Sequence, residues 1–157
     1  MGAEHLIAVD PAARCFAWAH YHDGVLVECG SAVVQDLPGK FQYPGAQWTI
    51  ETPQNYATFG VAHADLDRLR ATVQSIEHHA KGIKGKVTFT KPFSWKGNVP
   101  KQIHHRRVHA LLTEAEQALL SPVGSKQYDH NVYDAVALGL WAVGRVGRGG
   151  RKTTDRC

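Results

Sequence analysis

Three acidic residues lie at positions that suggest a chemical role, two at the ends of apolar runs and one within an apolar segment. Asp10 directly follows a short apolar run, Glu51 ends a second one, and a proline follows each within two residues. Asp134 interrupts an apolar helical segment, where a lone ionised carboxylate is costly to bury. Carboxylate oxygens suit Mg²⁺ or Mn²⁺, and two such ions about 4 Å apart can drive phosphodiester hydrolysis. The pattern therefore indicates a metal-dependent nuclease, with strand-ending turns and a capping or ion-paired aspartate as the structural alternatives.

Five β-type runs would position the first two acids. Each is short, apolar or alternating, and bounded by turn residues. Asp23-Gly24 is a hairpin-turn dipeptide between the second and third runs, and two Pro-Gly pairs within 35–45 exclude a long helix there. The five runs cover residues 6–9, 15–22, 25–34, 46–51 and 86–90.

Three later segments have helical periodicity. The first begins near Ala62, and its apolar residues recur at steps of three and four. The second begins at Pro100, since proline is tolerated in a first turn, and ends at Pro122. The third runs from about Asn131 to Val143 and should be buried against the sheet. The apolar faces of the first two helices comprise Ala62, Leu66, Leu69, Val73 and Ile76, and then Ile103, Val108, Leu111, Leu112, Ala115 and Leu119.

This order of elements predicts a single α/β domain over residues 1–144, followed by a basic and flexible tail at 145–157. The 157 residues carry a formal net charge of +4, which favours a polyanionic partner. No apolar run is long enough for a membrane helix, and no signal peptide is recognisable. The three cysteines form no C-x-x-C pair. We therefore expect a cytoplasmic protein without a disulfide framework.

Four stretches, in order, resemble the motifs of RuvC-like Holliday junction resolvases of the RNase H-like superfamily. "LIAVDPAARCFAWAHYHDGVLVECG" resembles their opening strand, which ends in Asp, and the hairpin after it. "WTIETPQNY" is similar to the second motif, and "FSWKGNVPKQIHHRRV" to the segment leading to a lysine that opens a helix. "HNVYDAVALGLWAVG" resembles the last motif, a helix carrying "DA". The resemblance implies a mixed five-stranded sheet, with three antiparallel strands followed by parallel ones, flanked by helices.

Carried over to this sequence, the resemblance implies that Asp10, Glu51 and Asp134 bind Mg²⁺ or Mn²⁺, with two ions in each active site. The family usually adds an Asp or His about one turn before the last Asp. His130 is the favoured candidate, because it can ligate a metal or help to deprotonate the attacking water. Asp129 is the rival if it reaches in from a non-helical lead-in.

The resemblance also implies DNA contacts. Lys101 corresponds to the lysine near the scissile phosphate and Lys91 roughly to an earlier one, and both would stabilise charge on the phosphorus centre. Lys96 would contact backbone phosphate. Tyr56, with Phe59 as the alternative, would stack on bases at the crossover. A solvated basic face is the structural alternative for the lysines, and burial in the core is the alternative for the aromatic residues.

The segment "HHRRVH" has two interpretations. His105 and His109 have the spacing of zinc ligands on a helix, but the Glu found beside the first His of metalloprotease helices is absent here. A basic stripe along DNA, carrying Arg106 and Arg107, is the favoured interpretation.

The implied activity is paired nicking of four-way DNA junctions by a homodimer, with no small-molecule cofactor and no membrane. Two other classes remain open. One is an RNase H-like nuclease acting on flaps, RNA–DNA hybrids or other branched nucleic acids, and the other is a non-catalytic DNA-binding module on the same fold. The family usually has a long helix where residues 35–45 have no room for one. That departure resembles compact bacteriophage variants, which would place the protein in a bacterial or phage-infected cell, and it leaves the dimer interface open.

Overall fold

A five-stranded mixed sheet forms the centre of the protein. The computed structural model describes residues 4–52, 63–91, 100–120 and 126–145. For residues 63, 101, 102 and 126–130 it describes the backbone only. The sheet order is β3-β2-β1-β4-β5. β1, β2 and β3 pair antiparallel, while β4 and β5 run parallel to β1. This is the fold class expected from the sequence. The strands are β1 (His5–Pro11), β2 (Phe16–His22), β3 (Val25–Ala32), β4 (Gln47–Glu51) and β5 (Lys86–Thr90).

Helices cover both faces of this sheet. The region predicted to lack a long helix holds only a 3₁₀ turn, Val34–Asp36, and the four-residue α1, Leu37–Lys40. In the described ranges, no helix is both long enough and apolar enough to cross a membrane. The other helices are α2 (His63–Gly82), α3 (Lys101–Leu111), α4 (Glu114–Ala118) and α5 (Lys126–Ala142).

Alternation along β1 separates two apolar cores. Leu6 and Ala8 belong to the core beneath α5, which we call the α5 face of the sheet. Ile7 and Val9 belong to the opposite core beneath α1 and α2, the α2 face. All four are at most 5% exposed, so β1 is buried on both sides, as its continuous apolar run predicts.

Tyr21 and Gly139 fix how closely α5 approaches the sheet. The Tyr21 hydroxyl donates a 2.6 Å hydrogen bond to the Val136 carbonyl, so this buried phenol has a partner. A Cβ on Gly139 would overlap the Tyr21 ring. Glycine at this position therefore allows the helix to lie directly against β2.

The single helix predicted from Pro100 onwards is instead two helices, α3 and α4. Thr113 interrupts the helical hydrogen bonding: its hydroxyl accepts from the Glu116 amide at 3.2 Å, and the Glu116 carboxylate accepts from the Thr113 amide at 3.0 Å. This reciprocal capping box starts α4 on a new axis. The predicted apolar face is correspondingly wrong at Ile103, which is 42% exposed, and at Ala115, which is exposed while Glu116 is buried.

Glu116 anchors the end of α5 to the rest of the domain. Arg145 donates to both of its carboxylate oxygens, at 2.6 and 2.9 Å, and the Leu26 amide donates at 2.8 Å. Burial alone would raise the pKa of this carboxyl, but the bonds from Arg145, Thr113 and Leu26 lower it to about 2. Glu116 is therefore a charged, fully engaged structural group.

Candidate active site

Asp10 and Glu51 lie side by side at the ends of parallel strands. β1 and β4 pair in register up to Val9 and Ile50, and each acid is the next residue on its strand. Because side chains alternate between faces and Val9 and Ile50 point to the α2 face, both acids point to the α5 face. Each is half-buried. The sheet thus brings two of the predicted acids to one edge.

Asp134 approaches the same face from α5, which packs across β1 and β2. Its side chain is only 6% exposed. The His105 ring on α3 lies against it, with 3.1 Å between His105 Nε2 and Asp134 Oδ1, and that ring is itself only 11% exposed. The predicted burial of Asp134 in a helix is confirmed, and its basic neighbour comes from α3.

The sequence predicts two alternative roles for His105, a zinc ligand or part of a DNA-facing stripe, and neither of them places it against Asp134. A signal for its true position was available, because His105 lies four residues after Lys101 and so about one helical turn along the same face. Its ring also stacks on Tyr133, with centroids 5.2 Å apart and planes 23° apart. His105 is therefore in contact with two consecutive residues of α5, Tyr133 and Asp134.

The segment "HHRRVH" does not form one continuous basic surface. His104 and Val108 are 1% and 0% exposed and face the core, while Arg106 and His109 are exposed. A helix that packs on one side divides such a run between core and solvent. The stripe interpretation is wrong for the histidines that face inward, and Arg106 remains the exposed candidate for DNA contact, with Arg107 half-buried.

α5 begins at Lys126, five residues before the start predicted from the sequence. Asp129 and His130 both lie inside the helix, so the predicted lead-in loop for Asp129 is wrong. On a regular helix His130 stands about 40° from Asp134 around the axis, and Asp129 about 140°. This geometry favours His130 as the fourth ligand. The side chains of both residues lie outside the description, and the assignment stays a prediction.

The carboxylates come from three separate elements. Within the part of the chain that the structure describes, no three His, Cys, Asp or Glu side chains are gathered closely enough to hold a metal ion. The donor chemistry nonetheless fits Mg²⁺ or Mn²⁺, because Asp10, Glu51 and Asp134 offer hard oxygen ligands directed at one face. The zinc alternative built on His105 and His109 finds no third ligand among the described residues.

Only some of the residues predicted to contact DNA belong to the described part of the chain. Lys91 directly follows β5 and is exposed, one residue beyond Thr90, which is the register partner of Glu51. Lys101 is the first residue of α3, and its side chain is outside the description. Tyr56, Phe59 and Lys96 lie outside the described residues.

Comparison with solved structures identifies the architecture. A Thermus thermophilus RuvC structure is similar over 87% of this chain and 91% of its own, with a TM-score of 0.58. The fold is RuvC-like. A second structure, "T. thermophilus RuvC in complex with Holliday junction substrate", aligns over 87% and 90% of the two chains with a TM-score of 0.49. Both are 11% identical to this chain in sequence, and the assignment of the fold rests on the first of them.

No protein-family model matches the chain, and none of the curated proteins is similar to it in sequence. The likeness therefore rests on the order and pairing of strands and helices. It agrees with the family resemblance of the four sequence motifs, which reached the same fold by a separate route.

Proposed function

We propose that the protein is a divalent-metal-dependent endodeoxyribonuclease that resolves four-way DNA junctions by paired nicks. The observation that supports this most is the placement of Asp10 and Glu51 at adjacent parallel strand ends, on the face that carries the buried Asp134. Three carboxylates directed at one face repel one another, and a bound cation would offset that repulsion. The RuvC-like fold supports the same reading.

Asp10, Glu51 and Asp134 would hold Mg²⁺ or Mn²⁺, with His130 as the fourth ligand. When bound, such ions activate water and stabilise the leaving oxygen. The chain's own part is to fix the ligands. β1 and β4 hold two carboxylates in register, and α5 presents the third from above the sheet.

His105 would position Asp134 through the 3.1 Å contact between its ring nitrogen and the carboxylate. Replacing a group that orients a metal ligand in this way typically costs about 10- to 100-fold in metal affinity or activity. Lys101 and Lys91 would add positive charge beside the scissile phosphate, where it stabilises the transition state more than the ground state.

Paired nicking requires two active sites related by a two-fold axis, so the proposal includes a homodimer. The short α1 cannot form the interface that a long helix would provide in this region. The dimer would therefore use another surface of the domain. The net charge of +4 supports DNA as the partner, and branched geometry would supply the selectivity.

A substrate panel tests the proposal. Purified protein is incubated with Mg²⁺, Mn²⁺ or EDTA and a labelled four-way junction, a flap, an RNA–DNA hybrid or a plain duplex. We expect metal-dependent, symmetric nicks in the junction, and sedimentation as a dimer. Cleavage confined to the flap or hybrid would favour a general RNase H-like nuclease, and metal-independent binding without cleavage of any substrate would favour a binding module.

A further inference from the structure

A cleft of about 600 Å³ lies on the α5 face, beside the proposed active site. Its floor is formed by β4 and β5, and the last turn of α5 forms one wall. This part of the α5 face lies beyond β1 and β2, the strands across which α5 packs. Its polar, basic and aromatic lining includes Gln47, Thr49, Lys86, Thr88, Lys91 and Trp141.

The floor of the cleft is continuous with the acids. Thr90, a lining residue, is the register partner of Glu51, so their backbones are about 4.8 Å apart, one strand spacing. Thr49, two residues before Glu51, shares its face, and its hydroxyl lies 3.1 Å from that of Thr90. An extended ligand lying in the cleft would therefore lead directly to the strand ends that hold Asp10 and Glu51.

The charge of the cleft selects its occupant. Lys86 and Lys91 are both exposed, and none of the lining residues that the structure describes is acidic. Two copies of this cleft facing each other would bring lysines together, which disfavours a symmetric protein interface. An anionic ligand would be attracted by the same charges.

The remaining lining groups suit a nucleotide. Trp141 presents a half-buried indole, and aromatic rings of this kind stack on bases regardless of sequence. The exposed Gln47 and Thr88 add hydrogen-bonding groups. A volume of about 600 Å³ takes a small ligand, such as one or two nucleotides, and is far too small for a duplex.

We propose that this cleft binds unpaired nucleotides of the DNA strand near the cleaved bond, stacking a base on Trp141 and pairing phosphates with Lys86 and Lys91. The proposal deepens the proposed nuclease function and rests on it for the identity of the strand. It explains how the site could select branched DNA, because strands near a junction or flap can splay and an intact duplex cannot.

Binding of a fluorescent eight-nucleotide oligothymidylate in EDTA tests the cleft without cleavage. Trp141→Ala should weaken binding about tenfold, the usual effect of removing one stacking platform. Thr88→Glu changes an exposed residue, so it should fold normally while placing a negative charge in the cleft, and it should weaken binding to a similar extent. Lys84→Gln is the matched control, because Lys84 is exposed nearby but does not line the cleft, and it should bind like the wild type.

Wild-type DNA affinity in both Trp141→Ala and Thr88→Glu would overturn the proposal. If these variants also sediment as monomers while the wild type is a dimer, the cleft is a protein interface and not a nucleotide site. Junction cleavage by the wild type is measured in parallel. Cleavage that persists while the two variants bind normally would refute the cleft and leave the nuclease proposal standing. Binding that depends on Trp141, in a protein that cleaves nothing, would support the nucleotide site and refute the nuclease.

Discussion

Two buried carboxylates beside the α5 face are held in different ways. Glu116 is 1% exposed, and its oxygens accept from two nitrogens of Arg145 and from two backbone amides. Asp134 is 4% exposed, and an imidazole nitrogen of His105 lies 3.1 Å from one of its oxygens. Both acids are buried to a similar degree. What differs is the chemistry of the side chain opposite each one.

The difference agrees with a structural role for Glu116 and with the proposed metal-binding role of Asp134. A guanidinium stays charged at every pH at which proteins fold, and its two parallel bonds fix the carboxylate of Glu116 in place. An imidazole meets a carboxylate through a single ring nitrogen, so His105 cannot hold Asp134 in the bidentate way in which Arg145 holds Glu116. Glu116 also joins α4 to the start of β3 and to Arg145 beyond α5, whereas Asp134 is carried by the helix that packs on the face to which Asp10 and Glu51 point. Burial alone would not have distinguished the two.

The largest expected effect comes from exchanging each acid for its amide. Asp134→Asn should reduce junction cleavage on the order of a thousandfold, because it removes a metal-binding charge at the site of reaction. Its thermal midpoint should stay near that of the wild type. Glu116→Gln should show the reverse, with a lower midpoint and normal cleavage at temperatures where it is folded. Cleavage assays and thermal melts of the two variants would contradict the comparison if both properties changed together in each.

Removing the guanidinium tests the structural side of the comparison. Arg145→Ala leaves Glu116 buried without its cation, which typically costs about 3–5 kcal/mol of unfolding free energy. Arg70→Ala is the control, since its 3.7 Å ion pair with Asp67 is exposed at the surface and should contribute less than about 1 kcal/mol. Urea unfolding measures both, and equal losses in the two variants would refute the anchoring role.

A smaller effect is expected from the imidazole. His105→Ala should weaken Mn²⁺ binding and cleavage by about 10- to 100-fold, the usual range for a group that orients a metal-binding carboxylate. His105→Gln keeps a hydrogen-bond donor and should recover part of both. Calorimetric titration with Mn²⁺ gives the affinity independently of activity. Metal binding unchanged in His105→Ala would show that the 3.1 Å contact has no positioning role.

The smallest expected effect is on the pH dependence of stability, and it concerns a third buried titratable group, His20. Burial, followed by the neighbouring His5 and His22, lowers the pKa of His20 to about 4. The unfolded chain then binds more protons between pH 6.5 and 4, so stability is complete above 6.5 and declines as the pH falls towards 4. The loss at pH 5 should be about 1–2 kcal/mol.

Glu116 has its own pH window. Its pKa of about 2 lies below the unfolded value, so its contribution is present above pH 4.5 and is lost as the pH falls towards 2. Urea unfolding between pH 7 and 3 should show a first decline that begins near pH 6.5 and a second that begins near pH 4.5. His20→Gln should remove the upper one and leave the lower, whereas a single decline unaffected by that substitution would contradict the assignment.

Local patterns were enough to predict the sheet and the acids that end its strands. Alternation, turn dipeptides and apolar runs act over a few residues, and β1 and β4 with Asp10 and Glu51 follow from them. The contacts of α3 and α4 did not follow, because the face of a helix that meets the core depends on tertiary packing. His105 and Glu116 both owe their roles to elements distant in sequence. The Thr113-x-x-Glu116 capping box was the one local signal that would have divided the predicted helix.

We propose that Asp10, Glu51 and Asp134 together bind the metal ions that cleave DNA. The most direct measurement is single-turnover cleavage of a labelled four-way junction in Mn²⁺ by the wild type and by Asp10→Asn, with junction binding measured in EDTA for both. We expect symmetric nicks by the wild type. In the variant we expect a loss of cleavage on the order of a thousandfold, with junction binding equal to or tighter than that of the wild type. Near-normal cleavage by Asp10→Asn, or wild-type cleavage that persists in EDTA, would contradict it.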